Sequence, residues 1–299
     1  MHSAAMSNNS VITKQVWKEN FVKEFSFMWE RAIIAGYKTV SLSTRLLLCQ
    51  ERIPATNAWG DSDANYSALA QTTDRFKNIV KVGFALCNRQ GDLPRCWNTK
   101  RPCIWEFNLM PLEERAYSER EESFLEEFCG GVNSEQLRRQ GIDLKVMFDL
   151  LINTCIVQND SISWVTFKGG LDFMALLRFG LQNTPGVHLE REQFFRHLHT
   201  YFPVFYDMAA VLGFDPVADN GTIEVSARSL NVWREDMPPH GAASDSLLAL
   251  RMFMEIKRRM YMKTLKPDCP LLEKKESILF GVTSEQEANA TPTFKMAPF

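Results

Sequence analysis

The chain has 299 residues, 45% of them hydrophobic, enough for one large buried core, and no apolar run approaches the ~18 residues that a membrane span needs. Its 34 basic and 36 acidic residues leave a net charge of −2, so no overall positive field marks a nucleic-acid binder and any RNA contact would have to be a local patch. Seven cysteines, an odd number without paired C-x-x-C spacing, exclude a disulfide scaffold or a common zinc site and predict reduced thiols in a cytoplasmic or nuclear protein.

Residues 1–10 are small and polar, hold no signal-like apolar segment, and are expected to be disordered, as is the tail 283–299; the folded domain is expected over 11–282. Apolar residues from Val16 through Phe21, Phe25 and Met28 to Ile33 recur at helical spacing, which predicts one long first helix. The segment 37–44, YKTVSLST, reads as a strand, followed by a polar connection in which Asp61 and Asp63 sit in a Gly- and Asn-rich loop. Two β-type runs, FKNIVKVGFAL and CIWEFNL, flank a Gly, Asp and Pro cluster and predict an antiparallel hairpin. Further along come a helix over 142–156, a short buried strand SWVTF, a helix entered through Gly169 and Gly170, a helix in REQFFRHLHTYF and a strand in PVFYD. A last long helix is expected from an N-cap at Ser244. Helices and strands alternate without repeats, so the expected fold is a single α/β domain with a mixed central sheet flanked by helices.

Chemistry is sparse in this pattern. P-loop, GxGxxG, HExxH and GxSxG motifs are all missing. What remains is acidic residues near strand ends: Asp172 after SWVTF, Asp207 closing PVFYD, and His240 with Asp245 in PPHGAASDSLL. Each also has a structural explanation, because an Asp at a helix start is commonly a cap and a histidine after two prolines commonly sits in a surface loop.

Five segments in order alter that balance. WKENFVKEF, KVGFALCNRQGDLP with CIWEFNL, WVTFKGGLDFMALL, YFPVFYD and HGAASDSLL together resemble the Caf/Pop-type deadenylase subunit of the Ccr-Not complex, from about Val11 to Val282. The resemblance implies a ribonuclease H-like fold of the DEDD exoribonuclease class, which shortens poly(A) from the 3′ end of mRNA. It implies a two-metal site for Mg²⁺ or Mn²⁺, built from carboxylates that converge from several elements. By the same resemblance, Asp172 and Asp245 match two metal ligands and His240 matches the general base.

The other two ligands differ. In the family the first strand carries Asp-x-Glu, a spacing that puts both carboxylates on one face; aligned with it, this chain has Ser43 and Arg45. Two acids and a guanidinium where the family has four acids under-compensate a pair of dications, so the metal is expected to bind weakly or not at all. Arg45 is expected to fill the vacated position and bond to Asp172 or Asp245. Leu171 stands where the family carries an aromatic residue, while Lys168, Arg178 and Arg45 could still attract a phosphate backbone. The resemblance thus implies an impaired enzyme that binds the Not scaffold subunit and the second deadenylase subunit, with poly(A) RNA as a further partner. The alternative is an active metal-dependent nuclease that uses Asp172, Asp245 and His240, joined by Asp207. A free-standing RNA-binding module in the old groove is a third reading, disfavoured by the near-neutral charge.

Overall fold

The computed structural model describes residues 10–48, 61–112, 116–182, 189–214, 221–234, 241–262 and 272–284. The chain enters on a strand, β1 (Ile12–Val16), and turns into helix α1 (Phe21–Trp29), which runs on as a π-helical turn over Glu30–Ile34. The single long helix expected from Val16 is therefore split. Asn20 splits it: its Oδ1 accepts from the Trp17 amide at 2.8 Å and its Nδ2 donates to the Gln15 carbonyl at 3.1 Å, a local turn that competes with helix. Lys14 of the strand and Glu24 of the helix then pair at 2.7 Å.

Next come β2 (Thr39–Leu48) and helix α2 (Ser62–Arg75), capped by Asp61. Asp61 and Asp63 thus begin a helix rather than lie in a loop. Strands β3 (Phe76–Cys87) and β4 (Cys103–Asn108) form the expected antiparallel pair, with Val82 opposite Phe107. Three helices follow: α3 (Glu119–Phe128), α4 (Ser134–Gln140) and α5 (Leu144–Asn153). The remaining elements are β5 (Ser163–Thr166), α6 (Gly170–Gln182), α7 (Arg191–Tyr201), β6 (Val204–Asp207), α8 (Met208–Val211), α9 (Ile223–Ser229) and α10 (Ala242–Tyr261).

The strands make one mixed sheet in the order β1-β4-β3-β2-β5-β6. Its antiparallel centre is β4-β3-β2, and β1, β5 and β6 add parallel to the outside. Alternating side chains feed two layers. On one face Leu42, Phe84, Trp105 and Trp164 pack with α1, α5, α6 and α7. On the other, Val165 and Tyr206 meet Leu248, Met252 and Phe253 of α10, and Ala85 and Ile104 meet Leu247 and Leu250.

Helix α10 can lie this close because of Gly83. A Cβ there would fall 2.2 Å from the Ala242 carbonyl carbon and the Ala243 amide, both backbone atoms that cannot rotate away. The helix starts two residues ahead of the expected cap, with Gly241 as N-cap, and buried Ser244 instead accepts a hydrogen bond from Arg234. Of the expected polar ends, residues 1–9 and 285–299 lie outside the described residues; Ser10 accepts from the Arg101 guanidinium and Thr283 Oγ1 accepts from the Leu279 amide at 2.8 Å. No described helix is long and apolar enough to cross a membrane.

Candidate metal centre

Three elements meet at one end of the sheet. Strand β2 brings Ser43, Thr44 and Arg45, the first turn of α6 brings Asp172, and the first turn of α10 brings Asp245; all five line a cavity of about 350 Å³ with Leu171 and Lys168. Register explains the strand's part: Ser43 lies opposite Gly83 and Arg45 opposite Lys81, with an irregularity immediately after Arg45. The Gly83 opening seats the start of α10 over this stretch, and so sets Asp245 near Arg45.

Each acid is already engaged. Thr44 donates to Asp172 Oδ1 from both its amide and its hydroxyl, each at 2.6 Å. Burial pushes the Asp172 carboxyl up to about 7, against the opposing pull of the two Thr44 hydrogen bonds and the Arg45 charge. Asp245 is held differently. Arg45 donates to its Oδ2 and Arg234 to its Oδ1, and Arg234 also reaches Glu224 of α9 at 2.7 Å. Of the two carboxylates expected to receive Arg45, it is Asp245 that does so. Arg234 escaped the sequence reading because it precedes Asp245 by eleven positions in an unremarkable segment; only the return of the chain from α9 to α10 brings the two together.

Other expected residues are elsewhere. Asp207 is fully buried, and its two oxygens accept from the amides of Lys168 (2.8 Å), Ala209 (3.1 Å), Gly169 (3.0 Å) and Phe280 (3.2 Å). It is a backbone clamp for the turn before α6, which corrects the reading of it as a spare ligand. That turn needs Gly169, where a Cβ would strike the Thr166 hydroxyl at 2.2 Å. Arg178 is also corrected: it is buried, pairs with Asp74 and ties α6 to α2 rather than facing the cavity. Lys168 does line the cavity, with its amine donating to the Gly221 carbonyl at 2.9 Å. His240 lies outside the described residues.

Hard divalent cations require several free oxygen ligands around one point. Both oxygens of Asp245 already accept from guanidinium groups, Asp172 Oδ1 accepts twice from Thr44, and Ser43 offers only a hydroxyl. Among the described residues no group of three or more His, Cys, Asp or Glu converges to hold a metal ion. The described residues on their own do not fit a two-metal cluster.

A mixed six-stranded sheet with an antiparallel centre, flanked by helices that bring acids to the middle of its second strand, defines a ribonuclease H-like domain. No family model matches the chain. Probable CCR4-associated factor 1 homolog 10 of Arabidopsis thaliana is 30% identical over 288 residues, covering 96% of this chain and 98% of the relative. Poly(A) ribonuclease pop2 of Schizosaccharomyces pombe is 28% identical over 250 residues, 83% of this chain and 70% of the relative. The solved Mg²⁺- and Mn²⁺-bound form of S. pombe Pop2p matches with a TM-score of 0.71 at 26% identity, covering 90% of this chain and 99% of that one. The yeast NOT1 MIF4G domain co-crystallised with CAF1 gives a TM-score of 0.70 at 22% identity, covering 90% and 96%, a likeness of fold. The chain belongs to the CCR4-associated factor 1 family.

Proposed function

We propose that this chain is a catalytically impaired member of the deadenylase family that acts as a binding subunit of the Ccr-Not complex, docking to the Not scaffold subunit and to the second deadenylase subunit. One observation carries the reading. The Arg45 guanidinium bonds to Asp245 where the family resemblance expects a carboxylate beside a dication. Arg234 caps the other oxygen of the same acid, so cationic groups of the protein itself already supply the counter-charge that metal ions would supply.

Asp172 and Asp245 are then residual ligands and His240 a residual base, kept on a scaffold whose packing does not depend on them. Binding surfaces and catalytic groups rest on different residues, so one can persist when the other lapses. The relatives supply the partner classes: one is named a CCR4-associated factor homolog, and another member was crystallised with a NOT1 domain. A cytoplasmic and nuclear place of action and contact with poly(A) RNA go with this reading.

The name poly(A) ribonuclease on the S. pombe relative keeps a second reading in play, an active metal-dependent nuclease that relies on Asp172, Asp245 and His240. Labelled oligo(A) separates the two. With Mg²⁺ or Mn²⁺ the purified chain is expected to leave it intact, and the double variant Ser43→Asp with Arg45→Glu is expected to gain chelator-sensitive shortening. Shortening by the unaltered chain that stops on chelation, and is lost in Asp172→Asn, would establish the second reading instead.

A further inference from the structure

A groove of about 990 Å³ opens on the outer side of α10 and shares no lining residue with the acidic cavity. Three segments build it: the turn after β3 with Arg89, the stretch after α9 with Trp233, and the last three turns of α10. On the helix, Arg251, Met254, Arg258 and Tyr261 recur at a spacing that keeps them on one side, over a length of about 15 Å. Trp233 is 61% exposed and Tyr261 85%, which is unusual for residues that gain so much from burial.

The charge in this groove departs from the nearly neutral chain. Arg89, Arg251, Lys257 and Arg258 line it, against a single acid among the described lining residues, Glu255. Glu255 pairs with Arg258 at 2.8 Å and with Arg259 at 2.7 Å, hydrogen bonds that bring its carboxyl down to about 2, so the described lining keeps an excess of three positive charges. Burial lowers the pKa of the Lys257 amine, with a lesser push from the nearby Arg89 guanidinium. Exposed aromatic faces interleaved with cations are what single-stranded nucleic acid requires: rings on which bases stack and charges that follow the phosphates.

We propose that the groove formed by Trp233, Tyr261, Arg89, Arg251, Lys257 and Arg258 is a binding track for single-stranded RNA, separate from the acidic cavity. Bases stack on Trp233 and Tyr261 while the cations contact the phosphates. The stacking is tolerant of base identity, so oligo(A) and oligo(U) bind alike. The track does not depend on metal at the other site.

Fluorescence anisotropy with labelled 12-mers of oligo(A) and oligo(U) tests it on the full chain. Trp233→Ala and Tyr261→Ala are each expected to weaken binding by about fivefold or more without altering its salt dependence. Arg89→Glu with Lys257→Glu is expected to weaken it by about tenfold or more and to flatten the log–log salt slope by about 1.4. Lys145→Ala, at an exposed lysine on α5, is expected to leave affinity within about twofold. Melting curves confirm that each variant is folded. The proposal is overturned if the unaltered chain shows no binding up to about 100 μM protein at low salt. It is overturned equally if affinity survives the groove variants, if Lys145→Ala abolishes it, or if a polyglutamate peptide binds in a groove-dependent way while RNA does not, which would assign the groove to an acidic protein partner.

Discussion

Asp172 is a buried carboxyl whose charged form the fold disfavours. Its carboxyl sits at about 7 in the folded chain against an ordinary 3.8. As pH rises from about 4 to about 7 the unfolded chain therefore gives up its proton first, and stability falls through that window. An asparagine at 172 still offers an oxygen to the Thr44 amide and hydroxyl and carries no charge to desolvate. Asp172→Asn is expected to melt about 3 °C above the unaltered chain at pH 8 and together with it at pH 4, by calorimetry at the two pH values. Of the cavity lining, Asp172 and Asp245 could be read from the sequence because each falls inside a short motif, and Ser43 and Arg45 because the family resemblance aligns them with its Asp-x-Glu strand. Asp207 and Arg178 could not be placed that way, since whether an acid or a guanidinium faces a cavity or a backbone turn depends on how α6 is rotated over the sheet.

Elements with a strong internal period were legible, and those held by their surroundings were not. The β3–β4 pair, β5, β6, α6, α7 and α10 announce themselves by runs of apolar or β-branched residues. Helix α2 has few apolar residues and is fixed from outside, by Tyr66 stacking near Phe194 at 5.7 Å and by Asn65 donating to the Gly281 carbonyl at 2.6 Å. Helix α3 carried a readable sign that was passed over, the Ser118 and Glu121 capping box. The start of α10 was misplaced because Ser244 is a good cap by type, yet Gly83 lets the helix approach earlier than a serine cap would require. Gly83→Ala tests this dependence: pushing the first turn of α10 off β3 is expected to cost about 3 kcal/mol in urea unfolding. A change below about 0.5 kcal/mol would mean that the helix start adjusts freely.

For the whole molecule, the balance of charge around Ser43 and Arg45 in the middle of β2 makes the dependence of stability on metal a test of the proposed function. A ligand that binds only the folded state raises the melting temperature in proportion to the logarithm of its concentration. The unaltered chain is expected to melt within about 1 °C in EDTA and in about 5 mM Mg²⁺, whereas Ser43→Asp with Arg45→Glu is expected to melt higher in Mg²⁺ than in EDTA. The sheet order, the two flanking layers and the placement of both acids on helix first turns are the same in either case, because they follow from apolar packing that the two substitutions do not touch.

The grip of Arg45 and Arg234 on Asp245 also shapes the routes open to this lineage. Exchanging Arg45 alone for an acid would set like charges side by side with one guanidinium left to hold them, and exchanging Ser43 alone would add an acid beside a cation that still bars a dication. Neither single step restores the missing ligand set, and the first loosens the start of the longest helix. On the proposed function, recovery of metal-dependent chemistry needs both changes together, so the pair works as a ratchet that turns more easily toward loss than back.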